Sequence, residues 1–127
     1  IIEERGKMMR YTQEHEWLRK EADYIVVGIT EHAADQLGDI VFIELPEADL
    51  KVSKDEEIVV IESVKAASDI LAPLSGRIIE INNEIVEDPS IVNADPQGKG
   101  WFFKMELDNS DDLENLMSEE EYKKLIS

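Results

Sequence analysis

Cysteine is absent from the chain, so neither a disulfide framework nor a thiolate metal site is available, and two histidines leave little for a zinc centre. Any redox or sulfur chemistry therefore has to arrive on a group that is attached or bound. Basic residues are scarce, 13 against 30 acidic ones for a net charge of −17, which argues against a nucleic-acid binder that must neutralise phosphates. The same charge disperses the protein and favours partners with basic docking faces. No apolar run is long enough to span a bilayer and no basic-plus-apolar signal segment opens the chain, so no membrane partner is expected. Also missing are a glycine-rich phosphate loop, a nucleophile elbow, a zincin helix and a calcium loop. Asp108-Asn109-Ser110-Asp111-Asp112 is acidic but lacks a calcium loop's distal glutamate and glycine, and a helix start explains it better. Acidic pairs are too common in this chain to mark acid–base chemistry. No catalytic residue, no metal site and no enzyme are predicted.

What is present is a set of short apolar strands in a chain of 127 residues, enough for one domain with its own core. Residues 1–10 read as an N-terminal extension left by processing or cloning, with Met8 or Met9 as candidate native starts, and residues 11–127 as the domain. Strands are predicted near Glu16 to Arg19, over Tyr24 to Ile29 with Gly28 marking close backbone approach or a bulge, and over Ile40 to Leu45, apolar on both faces except at Glu44 and therefore central. Between the last two, Thr30 caps a short helix that carries Ala33, Ala34 and Leu37 on one face and His32 and Gln36 on another, with Gly38 as a left-handed C-cap. Glu47 to Glu56 is polar connection with room for one short strand.

Further on, Pro73-Leu74-Ser75-Gly76 signals a turn and Arg77 to Ile81 the next strand. Asn82 to Gly100 reads as a long surface connection with one helical turn near Glu84 to Glu87. Trp101 to Leu107 closes the sheet, with Trp101, Phe103, Met105 and Leu107 on one face. Two short helices follow: Ser110 is expected to cap the first, whose apolar face is Leu113, Leu116 and Met117. Ser118 and Glu121 form a capping box on the second, stapled by Met117 and Tyr122, with Tyr122, Leu125 and Ile126 toward the core. Glu106 to Ser127 holds eight acidic and two basic residues, the most acidic surface. Several short strands on either side of Lys65 suggest two similar hairpin units folded face to face. The fold class is mainly β, a flattened barrel or sandwich hybrid of two small antiparallel sheets, with a short helix after the third strand region and two short C-terminal helices.

The chain is organised around Ile61-Glu62-Ser63-Val64-Lys65-Ala66-Ala67-Ser68-Asp69. Apolar runs before and after it read as strands, so Lys65 sits at a hairpin tip. A lysine at a tip is usually a solvated charge. Its surroundings change that reading.

Glu62-Ser63-Val64-Lys65-Ala66 resembles the lipoate-attachment motif of the glycine cleavage system H proteins. Further segments resemble that family in the expected order: Tyr11-Thr12-Gln13-Glu14-His15-Glu16-Trp17, Val27-Gly28-Ile29-Thr30, Leu37-Gly38-Asp39-Ile40-Val41, Glu44-Leu45-Pro46, Ala72-Pro73-Leu74-Ser75-Gly76, Val92-Asn93 with Asp95-Pro96, and Gly100-Trp101. The resemblance runs from Tyr11 to Tyr122, and an ordered series is more specific than any single motif. It departs where family members often carry glycines and this chain has Asp49 and Asp55, residues that tolerate left-handed turns, and where some carry a histidine and this chain has Gln36.

The resemblance implies a lipoyl-domain fold, lipoate joined by an amide to Lys65, and Glu62, Ser63, Val64 and Ala66 as the context read by a lipoate ligase or lipoyl transferase. It implies a monomeric carrier that takes the aminomethyl group of glycine from a pyridoxal-phosphate glycine decarboxylase to a tetrahydrofolate-dependent aminomethyltransferase and is reoxidised by dihydrolipoyl dehydrogenase. The compartment would be the cytoplasm of a prokaryote or the matrix of a mitochondrion. For the loaded arm, whose amine invites hydrolysis, a groove holding Glu16 and Asp69, with His32 and Gln36 nearby, is expected. Competing readings are an H-like lipoyl relay to other enzymes, a biotinyl carrier, and an unmodified binding barrel. The biotinyl carrier is disfavoured because Val64 and Ala66 stand where such domains flank the lysine with methionines.

Overall fold

The computed structural model describes residues 8–127. Among these residues nine strands form two antiparallel sheets. The larger has six strands in the order β1 (Met9–Tyr11), β2 (Glu16–Lys20), β3 (Ile25–Ile29), β9 (Phe103–Leu107), β8 (Gly76–Ile81) and β5 (Lys51–Val52). The smaller has three, β4 (Ile40–Glu44), β6 (Glu57–Ser63) and β7 (Ala67–Leu71), in that order. Among the described residues there are also four short α-helices, α1 (Glu31–Leu37), α2 (Asn83–Glu87), α3 (Ser90–Ala94) and α4 (Glu119–Ile126), and a 3-10 helix at Ser110–Asn115. The fold is a mainly β sandwich of two open sheets, as the pattern of short strands predicts. Six strands against three leave no equal halves, so the suggested pairing of two similar hairpin units is not what forms.

Burial follows chemistry. β3 is buried at all five positions, and its Ile25, Val27 and Ile29 share one core between the sheets with Leu18, Ile43, Ile61, Ile78, Phe103 and Met105. A second, smaller cluster outside it packs Tyr11, Trp17, Val26 and Tyr122 together. Trp17 lies opposite Gly28 in the β2–β3 register, and a Cβ on Gly28 would stand 2.7 Å from the indole. This glycine therefore marks close approach, not a bulge. Asp49 and Asp55 adopt φ of 70° and 73°, the left-handed geometry their residue type suggests.

Several expectations are corrected. β4 is an edge strand and not a central one. Its register shifts between Ile40 and Phe42, and the irregularity leaves Val41 and Phe42 both exposed. The connection from Asn82 to Gly100 is not merely surface. It folds into α2 and α3, which bury Ile85 and Val92 completely, and the Asn82 side chain caps α2 while binding the Lys99 and Trp101 carbonyls. The 3-10 helix is capped by Asn109, whose side chain accepts the Asp111 N–H, one residue before the expected Ser110. Trp101 packs into the second cluster, apart from Phe103 and Met105. On α4 the capping box forms as read, and Tyr122 is buried, but Leu125 faces solvent at 49% exposure. Of the residues read as an extension, 1–7 lie outside the described residues, while Met9 and Arg10 belong to β1, which pairs with β2. No helix among the described residues is long and apolar enough to cross a membrane.

Candidate functional site

β6 and β7 pair as a hairpin in which Glu62 faces Ala67, leaving Val64 and Lys65 as its tip. Neither tip residue takes a positive φ, so this is not one of the mirror-image turns that glycine and asparagine favour in two-residue hairpins. A serine hydroxyl supplies the missing closure. The Ser63 N–H donates to the Ala66 carbonyl at 2.8 Å. Ser63 Oγ accepts the N–H groups of Lys65 and Ala66, each at 3.1 Å, and donates to the Ala66 carbonyl at 3.1 Å. A hydroxyl offers two acceptor sites and one donor, and all are used.

The tip is also tied from below. The Val64 N–H donates to the Asp39 carbonyl at 2.9 Å, in the short corner between α1 and β4. Asn93 on α3 clamps that corner: its Nδ2 donates to Gly38 O at 2.8 Å and its Oδ1 accepts the Ile40 N–H at 2.9 Å. Gly38 has a φ of 77°, and the Lys65 stem crosses it so closely that a Cβ there would lie 3.2 Å from Lys65 Cε. The backbone of the tip is thus braced while the lysine itself is exposed and has no ion-pair partner among the described residues. Val64 and Ala66 beside it are exposed as well, as is Glu62. An exposed amine on a rigid backbone suits covalent extension into a swinging arm. The tip is legible in the sequence and the clamp is not, although Val92-Asn93 is one of the ordered segments.

The residues expected around a groove are dispersed. Glu16, at the start of β2, is 2% exposed. It accepts from the Thr12 hydroxyl at 3.2 Å and from the Leu71 N–H at the far end of β7. Burial, aided by the nearby Glu14 and Asp55 charges, pushes its carboxyl up from 4.5 to about 7 against the pull of those two hydrogen bonds. It lines a recess of ≈ 340 Å³ with Thr12, Lys54, Leu71, Ala72 and Pro73. Asp69 is exposed on β7 and lines a different hollow, beside Glu44, Leu45 and Pro46. His32 is half-buried with its ring 4.8 Å from that of His15. Gln36 is exposed. No single recess among the described residues holds all four.

His15 has structural work. With a φ of 71° its Nδ1 is hydrogen-bonded to Tyr122 Oη at 2.8 Å, and that phenol bonds Thr30 Oγ1 at 2.7 Å. Burial, with His32 adding to it, lowers the His15 imidazole from its ordinary range. This network fastens α4 to the start of α1.

Residues 9–127 match the family model described as glycine cleavage H-protein. The chain is 50% identical over 115 residues to the glycine cleavage system H protein of Psychrobacter sp. (strain PRwf-1), covering 90% of this chain and 91% of that one. Its fold matches the crystal structure of a glycine cleavage system H protein from Mycobacterium marinum with a TM-score of 0.83 at 37% identity, covering 91% of this chain and 94% of that one. The chain therefore belongs to the glycine cleavage H-protein family, the non-catalytic lipoyl carriers of the glycine cleavage system.

Proposed function

We propose that Lys65 is the lipoyl-bearing residue and that the arm shuttles the aminomethyl group of glycine. The observation that carries this reading is the exposed lysine on a doubly braced turn: among the described residues nothing holds its amine, while Ser63 and Asp39 fix the backbone of the turn. Attachment as an amide removes the ammonium charge, which costs no ion pair here. Glu62, Ser63, Val64 and Ala66 form the surface an attaching lipoate ligase or lipoyl transferase reads. When bound, the dithiolane supplies the disulfide and thiol chemistry by which the carrier serves a pyridoxal-phosphate decarboxylase, a tetrahydrofolate-dependent aminomethyltransferase and dihydrolipoyl dehydrogenase in turn. The compartment is the cytoplasm if the source is prokaryotic, and the carrier acts as a monomer.

Within the chain, β7 supplies a track. Ala67, Asp69 and Leu71 alternate onto one face of the strand, and four steps of about 3.3 Å carry it about 13 Å from the tip to the residue whose N–H binds Glu16. A long arm laid along it would bring a terminal amine past Asp69 to Glu16, where the buried carboxylate can pair with it. His32 and Gln36 lie on α1, just before the Gly38 corner that the Lys65 stem crosses, and would flank the arm instead of pairing with its amine. The test is to incubate the protein with lipoate ligase, ATP and lipoate and read the intact mass, with Lys65→Arg as control. One lipoyl increment in the parent and none in the control is expected; an increment in both overturns the site. Exchange of the glycine carboxyl carbon with bicarbonate in the presence of the decarboxylase then reports the shuttle.

A further inference from the structure

Among the described residues six large apolar side chains are exposed, and three of them gather at the Lys65 end of the small sheet. Val41 is 57% exposed, Phe42 44% and Val64 66%. Register explains the grouping: Phe42 stands opposite Glu62 and Ile40 opposite Ser63, with the irregularity between them turning Val41 outward too, while the Val64 N–H is held by Asp39 two residues before Val41. Exposed carboxylates at Asp39, Glu44 and Glu62 rim the patch. An apolar centre rimmed by carboxylates, with the Lys65 ammonium at its edge, is the anatomy of a docking site.

We infer that Val41, Phe42 and Val64 form the seat for the enzyme that acylates Lys65, which meets them with an apolar socket ringed by lysine or arginine. This rests on the reading of Lys65 as the attachment point. Two arguments select the occupant. A second copy of this chain would bring its own acidic rim against this one, and like charges facing each other cost association. The enzymes visited by the loaded arm meet a carrier already extended by that arm. The attaching enzyme has only the lysine stem to draw in, and its surface must come down onto the flank of the tip, where β4 is the outer strand.

The test uses lipoate ligase, ATP and lipoate with the whole unlipoylated chain as the varied substrate. Phe42→Ser is expected to raise the KM for the carrier about tenfold, the effect of losing an aromatic anchor, with the turnover at saturating carrier held within about twofold. Phe42→Leu is expected to recover most of the loss, and added salt to raise the parent's KM. An unchanged KM in Phe42→Ser, or a fall in turnover alone, overturns the proposal. So does concentration-dependent dimerisation of the parent in sedimentation that Phe42→Ser abolishes, since the patch would then be a self-contact. Failure of the underlying reading looks different: the parent itself would gain no mass at Lys65. Val86→Ser, an exposed apolar residue on α2, controls for loss of any surface apolar group and is expected to leave KM unchanged.

Discussion

Asn93 holds Gly38 through its side chain, Nδ2 donating to the Gly38 carbonyl at 2.8 Å, and with its other atom accepts from Ile40 at 2.9 Å. Because Asp39, between those two residues, takes the Val64 N–H, a side chain on α3 governs the pose of a turn nearly thirty residues away in sequence. Asn93→Ala should destabilise the fold by about 1–3 kcal/mol, since it strands two backbone groups. It should also speed exchange of the Val64 amide more than that of the core strands, measured by hydrogen exchange. Equal changes everywhere would mean that the clamp serves stability alone.

Ser63 makes a separate, more local prediction. Removing its hydroxyl leaves the Lys65 and Ala66 N–H groups to water at a two-residue turn whose geometry is not the favoured one. Ser63→Ala should cost about 1 kcal/mol in urea denaturation and slow ligase-catalysed attachment to Lys65 several-fold. Ser63→Thr keeps the hydroxyl and should restore much of both. If Thr behaves as Ala does, the hydrogen bonds at Oγ are not what matters.

The hairpin, the α1 cap and the capping box of α4 were legible because each is written in neighbouring residues. What escaped depended on distant ones. Val41 and Phe42 look like core in a row of apolar residues, and only the register against β6 shows that they point out. Ile85 and Val92 hide in a polar stretch interrupted by Pro89, where two five-residue helices are too short for periodicity to declare them. Glu16 was legible as a candidate by resemblance, but its burial and its bond to Leu71 arise from the approach of the two sheets. Asn93 makes its contacts across 53 and 55 residues, a relation no local pattern carries.

Gly28 and Trp17 test the packing between β2 and β3. The indole is fully buried and its Nε1 donates to the Pro96 carbonyl at 3.0 Å, so the ring cannot slide to admit a methyl group 2.7 Å from it. Gly28→Ala should destabilise by about 1–3 kcal/mol and shift the tryptophan emission to the red as the ring leaves its seat. An unshifted spectrum with full stability would show that the sheet yields instead.

Glu16 gives the pH dependence. Its carboxyl ionises near 7 when folded and near 4.5 when unfolded, so between those values the folded chain holds a proton that the unfolded chain has lost. Stability from this group is complete below about 4.5 and declines as pH rises through about 7. At about 1.4 kcal/mol per pH unit the difference amounts to about 3 kcal/mol at most. Denaturation midpoints of the parent and of Glu16→Gln, followed from pH 4 to 8, should therefore lie closest near pH 4 and diverge on rising pH, the parent losing stability relative to the variant. The same group predicts the behaviour of the loaded carrier: an amine docked in the recess stabilises the carboxylate, so Glu16 should ionise at lower pH in loaded than in unloaded protein. Carboxyl carbon shifts of labelled glutamate would read that difference. Identical titration in both states would remove Glu16 from the end of the arm and leave it a buried structural acid.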